Sequence, residues 1–439
     1  MSPRTRRTDP SGLEDSVEQL AALVASARHC IFCTGAGIST NAGIRDYRGP
    51  NGIWTEAAAA GKVVGEPGEK PGETPWDEAM YRCIPAATPT LAHRLMTLMA
   101  TQQPPLVQHI ISQNEDGLHL RSGLPAAQLS ELHGNAFIEL CGRYSPGDSD
   151  SDLGTSSGSD SDSSDEAEAD TGSDSSSGSG SGSGSSSASA SSAAKRAAEE
   201  RRLRPAGCSA AVARDFVTYY GDTYTLGNAA GRHVTRRACP HCRGGAGSAA
   251  PVAHSGPLEG PGWLLDSTVD FGEMPGGHPW GPNPVHNVAA AKRHMQLADL
   301  VVVWGSSLGV LANYFDPWHP KSKWASPPPR GLRLAPPTAA DGPHQGGAKR
   351  PRGKGKEPCV APRPAPCRLV IINKGKAMDE EYAALKIEAD VDEVAAALQR
   401  ALGLPSPAEY RADRDPLQAR AVPERQGEPA APWRFGCAQ

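Results

Sequence analysis

Large apolar side chains are scarce in this chain: aromatic residues make up 5% of its 439 positions, set against 48 glycines and 40 prolines. Such a balance leaves too little apolar surface to pack the whole length, so a chain long enough for two or three domains must include stretches without a core. Long apolar runs are missing as well. The best candidate, Leu300 to Trp304, is strand-sized, well short of the ~20 residues of a membrane-crossing helix, and no membrane span is expected. The start, Met1 to Pro10, lacks the apolar core of a secretory signal, and Asp9, Glu14 and Asp15 argue against an organellar presequence. Most of the ten cysteines are scattered, and Cys239 and Cys242 stand at metal-ligand spacing. That pattern points to a reducing compartment with one metal site rather than to a disulfide framework. Basic residues are absent between Arg143 and Lys195, where Asp148 to Asp174 holds ten acidic ones. Leaving those out turns the formal net charge from −5 to +5, a weak basic excess that suits nearby chromatin or RNA but is more often ordinary solvation.

The stretch from Cys30 to Trp54 organises the rest. Ile31 and Phe32 form an apolar step into Gly35-Ala36-Gly37, and Ser39-Thr40 is suited to cap a helix, so the order reads strand, tight turn, helix start. Glycines admit a ligand close to the backbone, and the free N–H groups of a helix start attract phosphate, which points to a dinucleotide. The third glycine of the usual fingerprint is missing, as is an acidic residue at the expected distance. On this segment alone a bare glycine turn is an equal reading.

Ser16 to Arg28 carries Val17, Leu20, Leu23 and Val24 at helical spacing and is expected to be a core-packing helix, whereas Asp46 to Trp54 has too many Gly and Pro for regular structure. Residues 55–90 read as an irregular helical insertion. Thr90 to Ala100 reads as a helix. Leu106 to Ser112 reads as a buried strand with Gln113, Asn114 and Asp116 at its carboxyl end, where open α/β sheets hold ligands; turn formation is the ordinary alternative for Asn-x-Asp. Asn287 to Leu297 is expected to be helical, Leu300 to Trp304 a strand feeding Gly305-Ser306-Ser307, Arg368 to Asn373 the last strand, and Asp392 to Leu402 the final helix.

Taken together, GAGIST (Gly35 to Thr40), RDYRGPNGIW (Arg45 to Trp54), SQNEDGLH (Ser112 to His119) and ELHGN (Glu131 to Asn135) resemble the sirtuins, the NAD-dependent protein lysine deacylases. Leu106 to Leu124 and Tyr47 to Trp54 are most similar to the class IV branch, which holds sirtuins six and seven, and nearest the seventh. VDFGE (Val269 to Glu273), WGSSL (Trp304 to Leu308) and IIN (Ile371 to Asn373) extend the resemblance to roughly residues 16–142, 208–318 and 366–404. It implies an α/β fold: a Rossmann-like parallel sheet with helices on both faces plus a small zinc-binding module.

The resemblance also implies roles. His133 matches the family's catalytic histidine, whose imidazole, titrating near neutrality, takes a proton from a ribose hydroxyl. NAD binding is implied for Gly35, Ala36, Gly37, Ser39, Asp46, Tyr47, Arg48 and Trp54, the last four on a loop that closes over NAD. It is implied also for Gln113, Asn114 and Asp116, for Gly305, Ser306 and Ser307, and for Asn373 and Val391. Val269, Phe271, Gly272 and Glu273 look like the edge that pairs with the substrate peptide backbone. Glu115 stands where relatives carry an uncharged residue, so its side chain is expected to point out of the site.

Sirtuins hold one structural zinc ion between two C-x-x-C pairs. Here the second pair is Cys239 and Cys242, but Cys141 is followed at the matching position by Tyr144. From Arg143 to Ala206 runs a Ser, Gly and Asp tract ending in a basic patch, Lys195 to Arg204, and beyond it Cys208 is followed by a run that resembles the family again. The tract is read as an insertion that splits the first pair, with Cys141, Cys208, Cys239 and Cys242 as ligands; an unrelated Cys208 thiol is the alternative. Stretching the loop costs about 3 kcal/mol of closure entropy, against roughly 10–16 kcal/mol from a structural zinc. The tract cannot bury a core and reads either as a target of acid-directed kinases or as an artefact of gene prediction.

The expected organisation is a disordered start (1–15), the first part of a Rossmann-like NAD-binding domain (16–140), a zinc-binding small domain (141–259) with its disordered insertion (143–206), and the second Rossmann-like part (260–318). A disordered Pro-rich basic insertion (319–366), the last strand and helix (367–404) and a loose tail (405–439) follow. Lys349 to Lys356 reads as a nuclear localisation patch or a solvated linker. The implied activity is removal of acyl groups from lysines of histones or other nuclear proteins, releasing nicotinamide and acyl-ADP-ribose, with a nuclear, even nucleolar, location, chromatin association and no membrane. Rival readings are a protein mono-ADP-ribosyltransferase, a non-enzymatic NAD-sensing chromatin scaffold, and a hydride-transferring dehydrogenase, which would leave His133 and the cysteines unexplained.

Overall fold

The computed structural model describes residues 12–61, 81–141, 211–218, 233–240, 263–269, 283–319, 322, 367–424, 428 and 433–435. Its strands are β1 (Cys30–Thr34), β2 (His109–Ser112), β3 (Leu129–Glu131), β4 (Ile138–Cys141), β5 (Ala211–Ala213), β6 (Val234–Ala238), β7 (Trp263–Asp266), β8 (Leu300–Trp304), β9 (Arg368–Ile372) and β10 (Ala383–Ile387). The helices are α1 (Leu13–Ser26), α2 (Ile53–Ala59), α3 (Leu91–Thr101), α4 (Leu118–Arg121), α5 (Val288–Leu297), α6 (Leu311–Tyr314) and α7 (Val391–Ala401), with a 3-10 helix at Ala36–Ala42.

Neighbouring residues of a strand point to opposite faces, so a run that is apolar throughout is stable only when both faces are covered. β8 is such a run, β1 and β9 are apolar but for Thr34 and Arg368, and the three lie side by side in a six-stranded sheet of order β10-β9-β8-β1-β2-β3, all of whose neighbouring pairs are parallel. Alternate residues feed two separate cores. Cys30, Phe32, Leu300, Val302, Val370 and Ile372 pack with apolar residues of α1, α3 and α7. Ile31, Cys33, Val301, Val303, Leu369 and Ile371 pack with those of α5 and α6. Helices therefore cover both faces of an α/β sheet. Cys30 and Cys33 have the spacing of a ligand pair, yet three residues apart on a strand they enter different cores. Burial pushes both thiols up, so they pack as small apolar groups.

A second sheet, β5-β4-β7-β6, is antiparallel. Its core is partly ionic. The buried Glu139 of β4 accepts hydrogen bonds from Arg214 Nε (2.5 Å) and Arg237 Nη1 (2.7 Å), and the two guanidinium groups lie 5.4 and 4.6 Å from the Phe216 ring centroid. Each cation thus offsets the charge that the other elements bury.

Several expected boundaries shift, for identifiable reasons. β2 starts at His109 because the N–H groups of Leu106 and Val107 donate to the Met99 carbonyl (2.9 and 3.3 Å) and close the turn leaving α3. The irregular stretch 46–54 ends in the first residues of α2, whose Ile53 and Trp54 N–H groups donate to Asp46 and Tyr47 (2.9 and 2.8 Å). Of the insertion expected at 55–90, residues 62–80 lie outside the described residues.

The tail expected to be loose beyond 405 is docked at several of its described residues. Leu417 and Trp433 are buried, Val422 N–H donates to Ala213 O (2.8 Å), and Phe435 stacks on Phe137 at 4.5 Å. Arg121 Nε donates to Asp415 (2.8 Å) with both side chains at most 2% exposed, and the Tyr410 hydroxyl donates to the same carboxylate (2.7 Å). Single anchors spaced along a polar segment leave no periodicity, which is why pattern reading missed them. Asp415→Ala should strand the Arg121 guanidinium in the core and cost about 3–5 kcal/mol, seen as a lower denaturant midpoint, while Arg411→Ala, at an exposed pair, leaves the midpoint in place. An unchanged midpoint for Asp415→Ala would show that the tail is not docked.

Candidate active site

β1, β2 and β3 run outward to one side of the sheet and β8, β9 and β10 to the other, so strand order reverses between β1 and β8. A parallel sheet opens a crevice for ligands outside the carboxyl ends at such a point. Two glycine turns build it. Gly35 N–H donates to Trp304 O (3.0 Å) and Gly37 N–H to Gly305 O (2.9 Å). A Cβ on Gly37 would lie 2.8 Å from both the Cα and the carbonyl oxygen of Gly305, so the turns interlock only without side chains. The sequence reading assigned these glycines to a ligand; their first contact is with each other.

Around the turns lies a cavity of about 670 Å³. Of the expected cofactor residues, Gly35, Ala36 and Gly37 line it from β1, Gln113 and Asn114 from β2, Gly305, Ser306 and Ser307 from β8, and Asn373 from β9. Val391 and the loop residues Asp46, Tyr47, Arg48 and Trp54 complete that set. Ser39 and Asp116 stand behind the wall. Ser39 is not a helix cap: it lies inside the 3-10 helix and donates to Asp116 (2.6 Å), which also accepts the Leu118 N–H (2.9 Å). Asn114 Nδ2 donates to Gly35 O (3.1 Å) and Ser39 Oγ (3.2 Å), tying β2 to the first turn, and Ser306 Oγ donates to Gln113 (2.9 Å), tying it to the second. Arg48 lies 4.3 Å from the Trp54 ring centroid and donates to Ser307 Oγ (3.3 Å), which pins the irregular loop across the turns.

His133 lines the same cavity, its ring centroid 6.2 Å from that of Tyr314. Desolvation pulls its pKa down to about 4, against the opposing pull of a hydrogen bond to the Gln113 backbone, so the expectation of an imidazole titrating near neutrality is corrected: this ring is neutral at pH 7. The bond to Gln113 selects one ring nitrogen as the donor and leaves the lone pair on the other. Gly134 has φ +92°, and a Cβ there would sit 2.1 Å from the Ser267 carbonyl oxygen, so the His133 loop lies directly on the 266–269 segment. Beneath it, burial pushes Glu131 up to about 8, opposed by the Asn135 amide and helped by Asp116.

Glu115 departs from expectation. It lines the cavity, and its carboxylate accepts a hydrogen bond from the buried Tyr81 hydroxyl. Lys374, Lys376, Asp390 and Tyr314 also line the cavity and were not foreseen. Asp390 had a readable signal as the cap of α7, accepting Asp392 N–H at 2.9 Å.

Among the expected substrate residues Val269 lines the cavity, with its N–H donated to His133 O (3.1 Å); Phe271, Gly272 and Glu273 lie outside the described residues. Cys141 and Cys239 are buried in one cluster with Val212 and Leu264, and Cys208 and Cys242 lie outside the described residues. Among the described residues no group of three or more His, Cys, Asp or Glu side chains is arranged to hold a metal.

Residues 35–157 match the model of the Sir2 family. The chain is 48% identical over 133 residues to the NAD-dependent protein deacetylase sirtuin-7 of Mus musculus, covering 30% of this chain and 29% of that protein. It is 42% identical over 134 residues to the deacetylase SRT1 of Arabidopsis thaliana (30% and 25%) and 45% identical over 128 residues to the deacetylase Sirt6 of Drosophila melanogaster (29% and 35%). The matched stretch thus spans about a third or less of the length of these relatives. A solved structure described as Sir2 bound to acetylated peptide aligns with 89% of this chain and 99% of its own at 17% identity and a TM-score of 0.40. The stretch that matches the Sir2 family model thus includes the first glycine turn, the Gln113 to Asp116 wall and His133, the segments that meet around the cavity.

Proposed function

We propose that the chain is an NAD-dependent protein lysine deacylase that removes acyl groups from lysines of histones or other nuclear proteins and releases nicotinamide and acyl-ADP-ribose. The observation that carries this reading is the meeting, on one cavity at the strand-order reversal, of a neutral His133 with the Gln113 to Glu115 wall and both glycine turns. NAD fits the donors present. Arg48, Ser306 and Ser307 stand beside the interlocked turns to meet phosphate oxygens, and Asn373 and Val391 close the β9 side for a nucleoside. When bound, NAD supplies a ribose C1′ that accepts the acyl oxygen as nicotinamide leaves. His133 takes a proton from a ribose hydroxyl at the ring nitrogen not bonded to Gln113. Asn114, fixed by Gly35 and Ser39, and Asp116 behind it hold the wall that orients the ribose. The Asp46 to Trp54 loop, pinned by Arg48, keeps water from the reacting carbon. The acylated peptide enters beside Val269.

The matched relatives named as NAD-dependent protein deacetylases support this activity over ADP-ribosyl transfer or a passive scaffold. A nuclear location is supported by the basic run from Lys349 to Lys356. The proposal extends to one structural zinc ion on Cys141, Cys208, Cys239 and Cys242. Two of these thiols share a buried cluster between β4 and the end of β6, as a pair of ligands from separate strands requires. The ion would close the small sheet and takes no part in the chemistry.

Product mass spectrometry with NAD and acylated histone peptides tests the reading: free lysine peptide and acyl-ADP-ribose are expected, and ADP-ribosylated protein alone would replace it with the transferase. His133→Tyr should lower turnover by about a hundredfold or more at an unchanged melting temperature, and near-normal turnover would remove His133 from the mechanism. The acid limb of kcat/KM assigned to His133 should lie near pH 4 rather than 6.5, because the neutral base is lost only as pH falls through the lowered value. For the metal, one zinc per chain is expected. Cys208→Ala should lose it as readily as Cys239→Ala, while Tyr144→Ala and deletion of Arg143 to Ala206 should keep it. Zinc retained by Cys208→Ala would place the fourth ligand elsewhere.

A further inference from the structure

The two ends of the cavity differ in charge. On the β9 side Lys374 and Lys376 line it together with Asp390, whose carboxylate is engaged by Lys374 (2.7 Å), Asn41 (2.8 Å) and the Asp392 N–H (2.9 Å). Arg48 and the glycine turns occupy the middle. On the β2 side the wall is Gln113, Asn114, Glu115 and His133. There Gln113 accepts from Ser306, the Asn114 amide is spent on Gly35 and Ser39, and His133 is uncharged at neutral pH. Asp116 is held behind the wall by Ser39 and Leu118. Glu115 supplies the carboxylate of this wall. Its carboxylate is oriented by the hydroxyl of Tyr81, a 2% exposed side chain from the segment that precedes α3.

NAD is itself polar in the same sense, since its nicotinamide ring is a cation and its adenine is not. Resting on the dinucleotide reading of this cavity, we propose that Glu115, positioned by Tyr81, is the counter-charge for the nicotinamide ring, and that the opposed carboxylate and lysine ends set the direction in which NAD lies. Attraction at the β2 end and repulsion at the β9 end act together, so the reversed orientation loses twice. When the C1′–N bond breaks, its electrons stay with the ring nitrogen and the ring becomes neutral. Glu115 then holds the dinucleotide but not the released nicotinamide.

NADH has nearly the shape of NAD with an uncharged ring, and ADP-ribose lacks the ring, so the three separate charge from shape. Calorimetric dissociation constants for NAD, NADH and ADP-ribose are to be compared between the full chain, Glu115→Gln and Tyr81→Phe. Glu115→Gln should weaken NAD by about threefold to tenfold, the size of a partly screened charge pair, and leave NADH and ADP-ribose where they were. Tyr81→Phe should shift NAD in the same direction by less. Equal weakening of NAD and NADH, or no weakening of either, overturns the counter-charge role while leaving the dinucleotide site standing. A native chain that binds none of the three overturns the dinucleotide reading, and this inference with it.

Discussion

The architecture depends on one close approach, that of the Gly35-Ala36-Gly37 turn to the Gly305-Ser306 turn. Their N–H and carbonyl groups bond directly (2.9 Å from Gly37 to Gly305), and no side chain fits between them. Because they leave the carboxyl ends of adjacent strands β1 and β8, the contact fixes the mouth of the crevice at the point where strand order reverses. Asn114 and Gln113 then bond one turn each, so the β2 wall is positioned by the same interlock. A methyl group at Gly37 would therefore disturb the whole wall, not one contact.

A second constraint holds the smaller sheet beside the first. Glu139 draws Arg214 and Arg237 together from either side of β4 and β7, and the tail reaches back over the same region through Val422, Trp433 and Phe435. Arg121, at the end of α4, connects this packing to the large sheet through Asp415 and lies over the Phe435 ring at 4.8 Å. Buried ion pairs of this sort contribute little net stability but are costly to half-remove, which suits a clasp that has one permitted arrangement. The cavity inherits the arrangement, since the His133 loop and the 266–269 segment meet at Gly134.

Electrostatics at the site follow from burial more than from partners. His133 and Glu131, two residues apart, are both driven to their neutral forms by desolvation, one lowered to about 4 and the other raised to about 8. The His133 loop thus carries little charge at pH 7. Around the cavity Glu115 stands on the β2 side with His133, while Arg48, Lys374, Lys376, Asp46 and Asp390 line the rest of it, where a polar ligand meets them.

Much was legible in local patterns. Five apolar residues in a row required a strand buried on both faces, which placed β8 to the residue, and the shorter apolar run after Arg368 placed β9 within one. Those features depend on periodicity and residue type alone, whereas the segments around Asn114, His133 and Ser306, which do meet Gly35 at the cavity, were marked by their resemblance to a known family. What tertiary structure decided were relations between segments distant in the chain. Gly37 meets Gly305 rather than a ligand first, Ser39 serves Asp116 instead of capping a helix, and Glu115 faces the cavity because Tyr81 reaches it. The tail docks through isolated anchors that have no period to read, and the titration of His133 is set by the protein packed around it. A sequence determines which faces must be buried and which backbone turns are possible; the partner of each buried polar group depends on distances that exist only once the sheets have formed.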